Sequence, residues 1–259
     1  MSKTLVAAMS ILTFSGTQIL NAQQASTNVS SVLRSSLAAQ IGGVPIQTVQ
    51  LQGTVESIAG SDDETVPVEF EAVSSGSSRS EIDLSEGKLI EIKQSGGSGA
   101  TGVWSNRDGK QHAMSGHNLM TDAAWWFPIL IEERLLSDSS AIVSFVGIEE
   151  GLAHFRSVQT VPTNIPQSAA DQVRHLSQVD LFLDYSTLLP SRLEFCIHPD
   201  NNALVDIPVI VQYSGYRSVS GATMPMHVQK LINNTLALDI QIQNATFNVS
   251  ILSTDFTWQ

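Results

Sequence analysis

A single cysteine, Cys196, occurs in 259 residues, so no disulfide can form within the chain and no lipidated N-terminal cysteine is expected. Basic residues are scarce. Thirteen Lys and Arg face 25 Asp and Glu, a formal net charge of −12, and no basic cluster offsets it. Phosphate contacts dominate nucleic-acid affinity and would here be repulsive, so nucleic acid is not an expected partner, nor is tight docking on anionic lipid. Long apolar runs are missing as well. The longest, Ala123 to Ile131, contains Pro128 and meets Glu132 and Glu133, well short of the ~20 apolar residues of a membrane-spanning helix. No Gly-rich loop follows a strand and opens a helix, which removes the usual phosphate cradle of nucleotide sites.

What is present is an ordinary globular composition, 42% hydrophobic and 15% charged. At this length one domain buries roughly 70 to 75% of its unfolded surface, enough for a core without metal or disulfide staples. Residues 1–22 follow other rules: a short positive start ending at Lys3, a mostly apolar or small stretch from Thr4 to Leu20, then Ala22 before Gln23. That is the pattern of a secretory signal, and it leaves residues 23–259 as a single mature domain.

The mature part opens with Val29, Val32, Leu33 and Leu37 at helical spacing, stopped by Gly42 and Gly43. From there the period falls to two. Val49, Leu51 and Val55 alternate with polar residues, with Gly53 on the apolar face, and Val66, Val68, Phe70 and Ala72 oppose Glu69 and Glu71. EIDL and KLIEIK continue the rhythm, with Gly/Ser-rich breaks at Ser74 to Ser78 and Ser95 to Gly99 as hairpin turns. The stretch Ser115 to Leu136 is apolar on nearly every side, and Pro128 is expected either to divide it into two helices or to restart it at a first turn. Beyond AIVSFVGI and LAHFRSVQT, a polar helix is expected over Gln167 to Ser177. Then come VDLFLDY, RLEFCIH, DIPVIVQYSGY, MHVQKLI and LALDIQI, strand after strand, with Ser220-Gly221 and Asn233-Asn234 as tight turns. About ten strands sharing one apolar face must twist and curl, and three helical segments are left to cover it.

The ending YSGYRSVSGATMPMHVQKLINNTLALDIQIQNATFN, with Tyr213, Tyr216, Arg217, Gly221, Pro225, Ile240, Ile242 and Asn248, resembles the periplasmic lipoprotein-carrier (LolA/LolB-like) family. The succession of helix, Gly-Gly and first strand from Leu33 to Val55 is similar to that family too. The resemblance implies an α+β fold: a highly curved antiparallel β-sheet, an unclosed half-barrel, with helices on its concave face and an apolar cavity for an acyl chain, lipid or lipidated protein. It makes Arg79 a candidate for the strand arginine that latches the lid. The expected lining is Leu119, Met120, Trp125, Trp126, Phe127 and Leu130 from the lid, with Val68, Phe70, Val209, Val211, Met226, Val228, Ile240 and Ile242 from the sheet. An envelope protein partner, and a location in the periplasm of a Gram-negative bacterium or outside the cell, follow from the same resemblance.

Catalytic patterns are weaker. Gly96 to Ala100 imitates a nucleophile elbow but lacks the following helix. The six histidines have no metal-ligand spacing, and Cys196 reads as a small buried hydrophobe. The carboxylate pairs Glu69 with Glu71 and Glu81 with Asp83 lie on a wet strand face, where nothing separates their pKa values. No enzyme activity and no cofactor are therefore expected. The alternatives are a cell-envelope interaction module without a cavity and, more distantly, a hydrolase.

Overall fold

The structure is a computed structural model that describes residues 29–95, 99–121 and 124–258. The expected signal segment, and residues 96–98 of the elbow-like loop, lie outside the described residues. Helix α1 covers residues 29–41, and its buried positions Val29, Leu33, Ser36 and Gln40 recur every three to four residues.

Six strands follow: β1 (Thr48–Ala59), β2 (Asp62–Val73), β3 (Ser78–Leu84), β4 (Gly87–Gln94), β5 (Thr101–Ser105) and β6 (Gln111–Ala113). A 3-10 turn at Gly116–Leu119 leads to α2 (Pro128–Ser137), β7 (Ala141–Glu149), β8 (Leu152–Gln159) and α3 (Gln167–Leu176). The chain ends through β9 (Val179–Asp184), β10 (Pro190–Ile197), β11 (Ile207–Ser214), the small ribbon β12 (Arg217–Val219) and β13 (Ala222–Met224), β14 (His227–Ile232) and β15 (Thr235–Phe247).

Thirteen strands form one unclosed antiparallel sheet in the order β6-β5-β4-β3-β2-β1-β15-β14-β11-β10-β9-β8-β7. The α+β half-barrel is thus two meanders joined where β1 pairs with β15. Register follows the alternation in the sequence, with Val55 opposite Val66 on one side and Ile240 on the other. The turn residues do what their chemistry allows. Asn233 and Asn234 both have positive φ (51° and 60°), as do Ser220 and Gly221 (49° and 89°), giving two-residue hairpins. Gly53 sits at a bulge against β15, where an added Cβ would lie 2.1 Å from the Gln241 carbonyl oxygen. Only glycine fits that approach.

The concave face carries the core: Val49, Leu51, Val68, Phe70, Leu193, Val211, Val228 and Ile240 meet Leu33 of α1 and Ile129 and Ile131 of α2. Of the two readings of Pro128, the restart holds: Pro128 begins α2 at its first turn, and Phe127 before it is extended, as a residue preceding proline prefers. One expectation changes. Helix α3 adds nothing to the concave core and packs beside β8 instead. The short strands β5 and β6 extend the sheet to its first edge. At the other edge, β7 exposes Ile142, Phe145, Val146 and Ile148. Among the described residues, no helix is long and apolar enough to cross a membrane.

Candidate functional site

Between the open ends of the half-barrel lies a cavity of about 580 Å³, partly open to solvent. Its volume falls within the range of small-molecule sites. Its walls are the outer ends of strands whose inner ends are core. On β14 Ile232 lines the cavity while Val228 is fully buried behind it; on β15 Leu238 lines it in front of Ile240, and on β11 Ile207 lines it in front of Val209. Leu89 and Ile82 face them from the first meander, and Phe70 and Trp125 also contribute to the wall.

The lid segment is wedged in place by aromatic packing. Trp126 stacks on Phe70 (centroids 4.8 Å apart, planes at 28°), and Trp125 meets the same ring edge-on at 6.1 Å. Tyr213 donates its phenol hydrogen to the Trp125 carbonyl at 2.5 Å, and Tyr216 likewise donates to the Pro190 carbonyl at 2.6 Å. These two bonds give the tyrosines of the C-terminal motif a structural task. Asn248, at φ 56°, accepts from the Gln47 amide and donates to the Pro45 carbonyl, tying the approach to β1 onto the end of β15.

A strap crosses the opening. Asn118 donates to the His198 carbonyl at 2.7 Å and accepts from the His198 amide at 2.9 Å, so one side chain imitates a strand pairing. Asp200 accepts from the Trp104 indole at 3.2 Å and from the Ser115 amide at 3.3 Å. The candidate latch Arg79 is elsewhere: it lies on the convex face of β3, ion-paired with Glu81 at 2.6 Å, because its strand position alternates with Ser78 and Ser80. That role is therefore corrected. The first meander is bridged to the β10–β11 connection by Asn118, Trp104 and Asp200.

Of the residues expected to line a cavity, Phe70 and Trp125 do so here. Val68, Trp126, Phe127, Val209, Val211, Val228 and Ile240 are at most 1% exposed in the core behind it. Leu130 and Ile242 are also buried, Met226 is half-buried against the core, and Met120 is half-buried. Leu119 and Leu130 line a second, more polar cavity of about 300 Å³ beside α2.

The sequence reading missed the polar groups on the concave wall: Glu91 and Lys93 of β4, and Lys230 of β14. Lys230 occupies an apolar-face position, in phase with Met226 and Val228, so the alternation itself carried the signal. Its ammonium lies over the Trp125 ring, 4.2 Å from the centroid. Burial lowers its pKa, while the Glu91 charge acts in the opposite direction.

Three histidines that looked scattered also converge. His198 is 5.7 Å from His117 and 6.0 Å from His175, ring to ring, and Asp206 lies 2.9 Å from His175 Nε2. Among the described residues, no three His, Cys, Asp or Glu are grouped to hold a metal. Burial raises the Cys196 thiol pKa, helped by Asp206 and Asp180, which keeps it from forming a thiolate.

An unclosed antiparallel half-barrel with helices on its concave face is a LolA-like fold, and solved structures share that fold. A domain described as an outer membrane lipoprotein-sorting protein, from Vibrio parahaemolyticus, superposes with a TM-score of 0.53 at 8% identity, covering 88% of this chain and 95% of that one. A LolA superfamily protein from Nitrosomonas europaea gives 0.52 at 12% identity, with 88% and 96% covered. A DUF1329 family protein from Desulfovibrio piger gives 0.53 at 11%, with 90% and 97% covered. At such identities the likeness establishes the fold alone. No protein-family model matches the sequence, and no curated protein matches it.

Proposed function

We propose that this protein is a non-catalytic carrier or binding protein of the bacterial cell envelope, exported to the periplasm or beyond, that holds an acyl chain, lipid or lipidated protein between sheet and lid. The observation that carries this reading is the 580 Å³ cavity, walled by Ile82, Leu89, Ile197, Ile207, Ile232 and Leu238 at the open end of the half-barrel. The signal-like N-terminal sequence and the lipoprotein-sorting description of one structural neighbour support the envelope setting. A channel-facing wall of aliphatic side chains gains roughly 0.8 kcal/mol for each methylene it takes from water, which sets a driving force for chain binding without any catalytic group.

The test is direct. Protein produced in a bacterial periplasm is analysed by native mass spectrometry for co-purified lipid, then delipidated and titrated with dodecanoate while the emission of Trp104 and Trp125 is followed. Bound lipid or a saturable change supports the reading; neither one refutes it. The exposed apolar edge β7 favours one other reading, an envelope interaction module, which gains ground if no ligand binds and the protein instead associates through Phe145 and Ile148.

A further inference from the structure

Five charged side chains line the cavity: Glu91, Lys93, Arg107, Asp200 and Lys230. Four are paired. Glu91 lies 3.6 Å from Lys93, Arg107 lies 3.8 Å from Glu64, and Asp200 accepts from Trp104 and Ser115. Among the described residues, Lys230 has no carboxylate at ion-pair distance and no hydrogen-bond acceptor; its recorded contact is the face of Trp125. Lys230 is half-buried in a cavity partly open to solvent, and drawing a cation that far from water with no carboxylate beside it is costly unless something compensates it.

Its depth matters as much as its charge. Ile232, two residues outward on the same face of β14, lines the cavity, whereas Val228, two residues inward, is sealed in the core. Lys230 therefore marks the inner end, and the aliphatic wall runs from it toward the mouth. An acyl chain still attached to a protein or to glycerol enters methyl end first and would bring a hydrocarbon terminus against the ammonium. A free amphiphile can enter head first, place its anion on Lys230 and lay its tail along Ile207, Ile232 and Leu238.

We propose that Lys230 is the headgroup anchor of this cavity and that its ligand is a free single-chain anionic amphiphile, a carboxylate or phosphate monoester, bound head inward. This rests on the carrier reading above but narrows it to an untethered ligand. Lys93, beside Glu91 on the neighbouring wall, adds a second positive group on the same concave face.

The experiment compares dodecanoate, dodecyl phosphate and dodecanol, three ligands with one tail and different heads, on delipidated wild type, Lys230→Met and Lys230→Arg. A charge-assisted contact of ordinary strength corresponds to roughly a ten- to hundredfold preference for an anion over the alcohol. Wild type should show that preference. Lys230→Met should lose it by weakening the anions while binding dodecanol within about threefold of wild type, and Lys230→Arg should restore it. The two anions report whether carboxylate or phosphate is preferred. Equal wild-type affinity for dodecanol and dodecanoate overturns the anchor while leaving a carrier in place, as does a preference that survives in Lys230→Met. If none of the three binds wild type, the carrier reading falls and the anchor with it.

Discussion

Glutamine in place of Glu132 should make the protein more stable in mild alkali and change little in mild acid. Glu132 lies on α2 with no exposed surface; its Oε1 accepts from Gln40 Nε2 at 2.6 Å, and its Oε2 and the Gln40 Oε1 have no partner. Burial pushes its pKa from 4.5 up to about 8, against hydrogen bonds from Ser36 and Gln40 that act the other way. The folded protein thus keeps a proton that the unfolded chain releases above about 4.5, and stability falls as pH rises through the window up to about 8, then levels off. At 1.36 kcal/mol per unit the full window amounts to about 5 kcal/mol, an upper figure because the pair can relax. Glutamine cannot ionise, and its amide nitrogen, in the place of Oε2, can donate to the Gln40 Oε1 as a protonated carboxyl can. Urea unfolding followed by tryptophan emission, at about pH 5 and about pH 8, should give near-equal stabilities for the two proteins at the lower pH and a gain of about 2 to 5 kcal/mol for Glu132→Gln at the higher. Glu133, also raised by burial, tilts both proteins alike, so the difference isolates Glu132. Parallel pH profiles for wild type and variant would show that Glu132 is ionised in the fold and that the reasoning fails.

Other expectations concern packing and the strap. Val228→Asp buries an unpaired charge at a fully enclosed site and should cost several kcal/mol, whereas Gln243→Glu on the exposed face of β15 should stay within about 0.5; equal losses by urea titration would contradict the register. Gly53→Ala drives a Cβ into the Gln241 carbonyl, and a loss under about 1 kcal/mol would mean that the bulge adapts more freely than its geometry indicates. Trp126→Ala should lower stability by about 3 to 5 kcal/mol, while Trp104→Phe, at the cavity wall, should keep the thermal midpoint and remove part of the ligand-induced emission change; the reverse ranking would place the cavity elsewhere. Asn118→Ala deletes its two bonds to His198, leaving those to Asp200, and should cost about 1 to 3 kcal/mol with greater acrylamide access to Trp104; unchanged quenching would mean that the strap does not close the mouth.

Much of the sheet could be read from alternation because each strand has one face on the core, and a slip of one residue would turn Val49, Leu51 and Val55 outward. The hairpins were legible for a related reason, since Asn233, Asn234 and Gly221 tolerate the positive φ that two-residue turns demand. The lid was not. Ala124 to Phe127 is as apolar as a buried helix, and periodicity cannot separate a helix from an irregular segment inserted into a core. The cavity was legible only in part: composition shows that a face is apolar, but whether a residue on it is core or wall depends on its distance from the strand end. Ile232 and Val228 look alike in sequence and differ in structure. The strap escaped because the Asn118 side chain meets the backbone of His198, 80 residues away, and a contact to backbone leaves no pattern in sequence.

The pairing of β1 with β15 sets the order in which the molecule can be completed. Val49 lies opposite Phe247, so the seam between the two meanders closes only after nearly the whole chain is available. Such distant pairing slows folding, because a long loop must be ordered before its contacts compensate. During synthesis the first meander would have β1 as an open strand edge for as long as β15 is still being made. Under the export proposed above, this delay would favour passage through a translocation pore, since no complete sheet would exist to resist it. The same seam is a hazard in any truncated form: without β15, β1 and β14 both become unpaired edges, each with a core-facing apolar row, and their readiest partner is the matching edge of another copy.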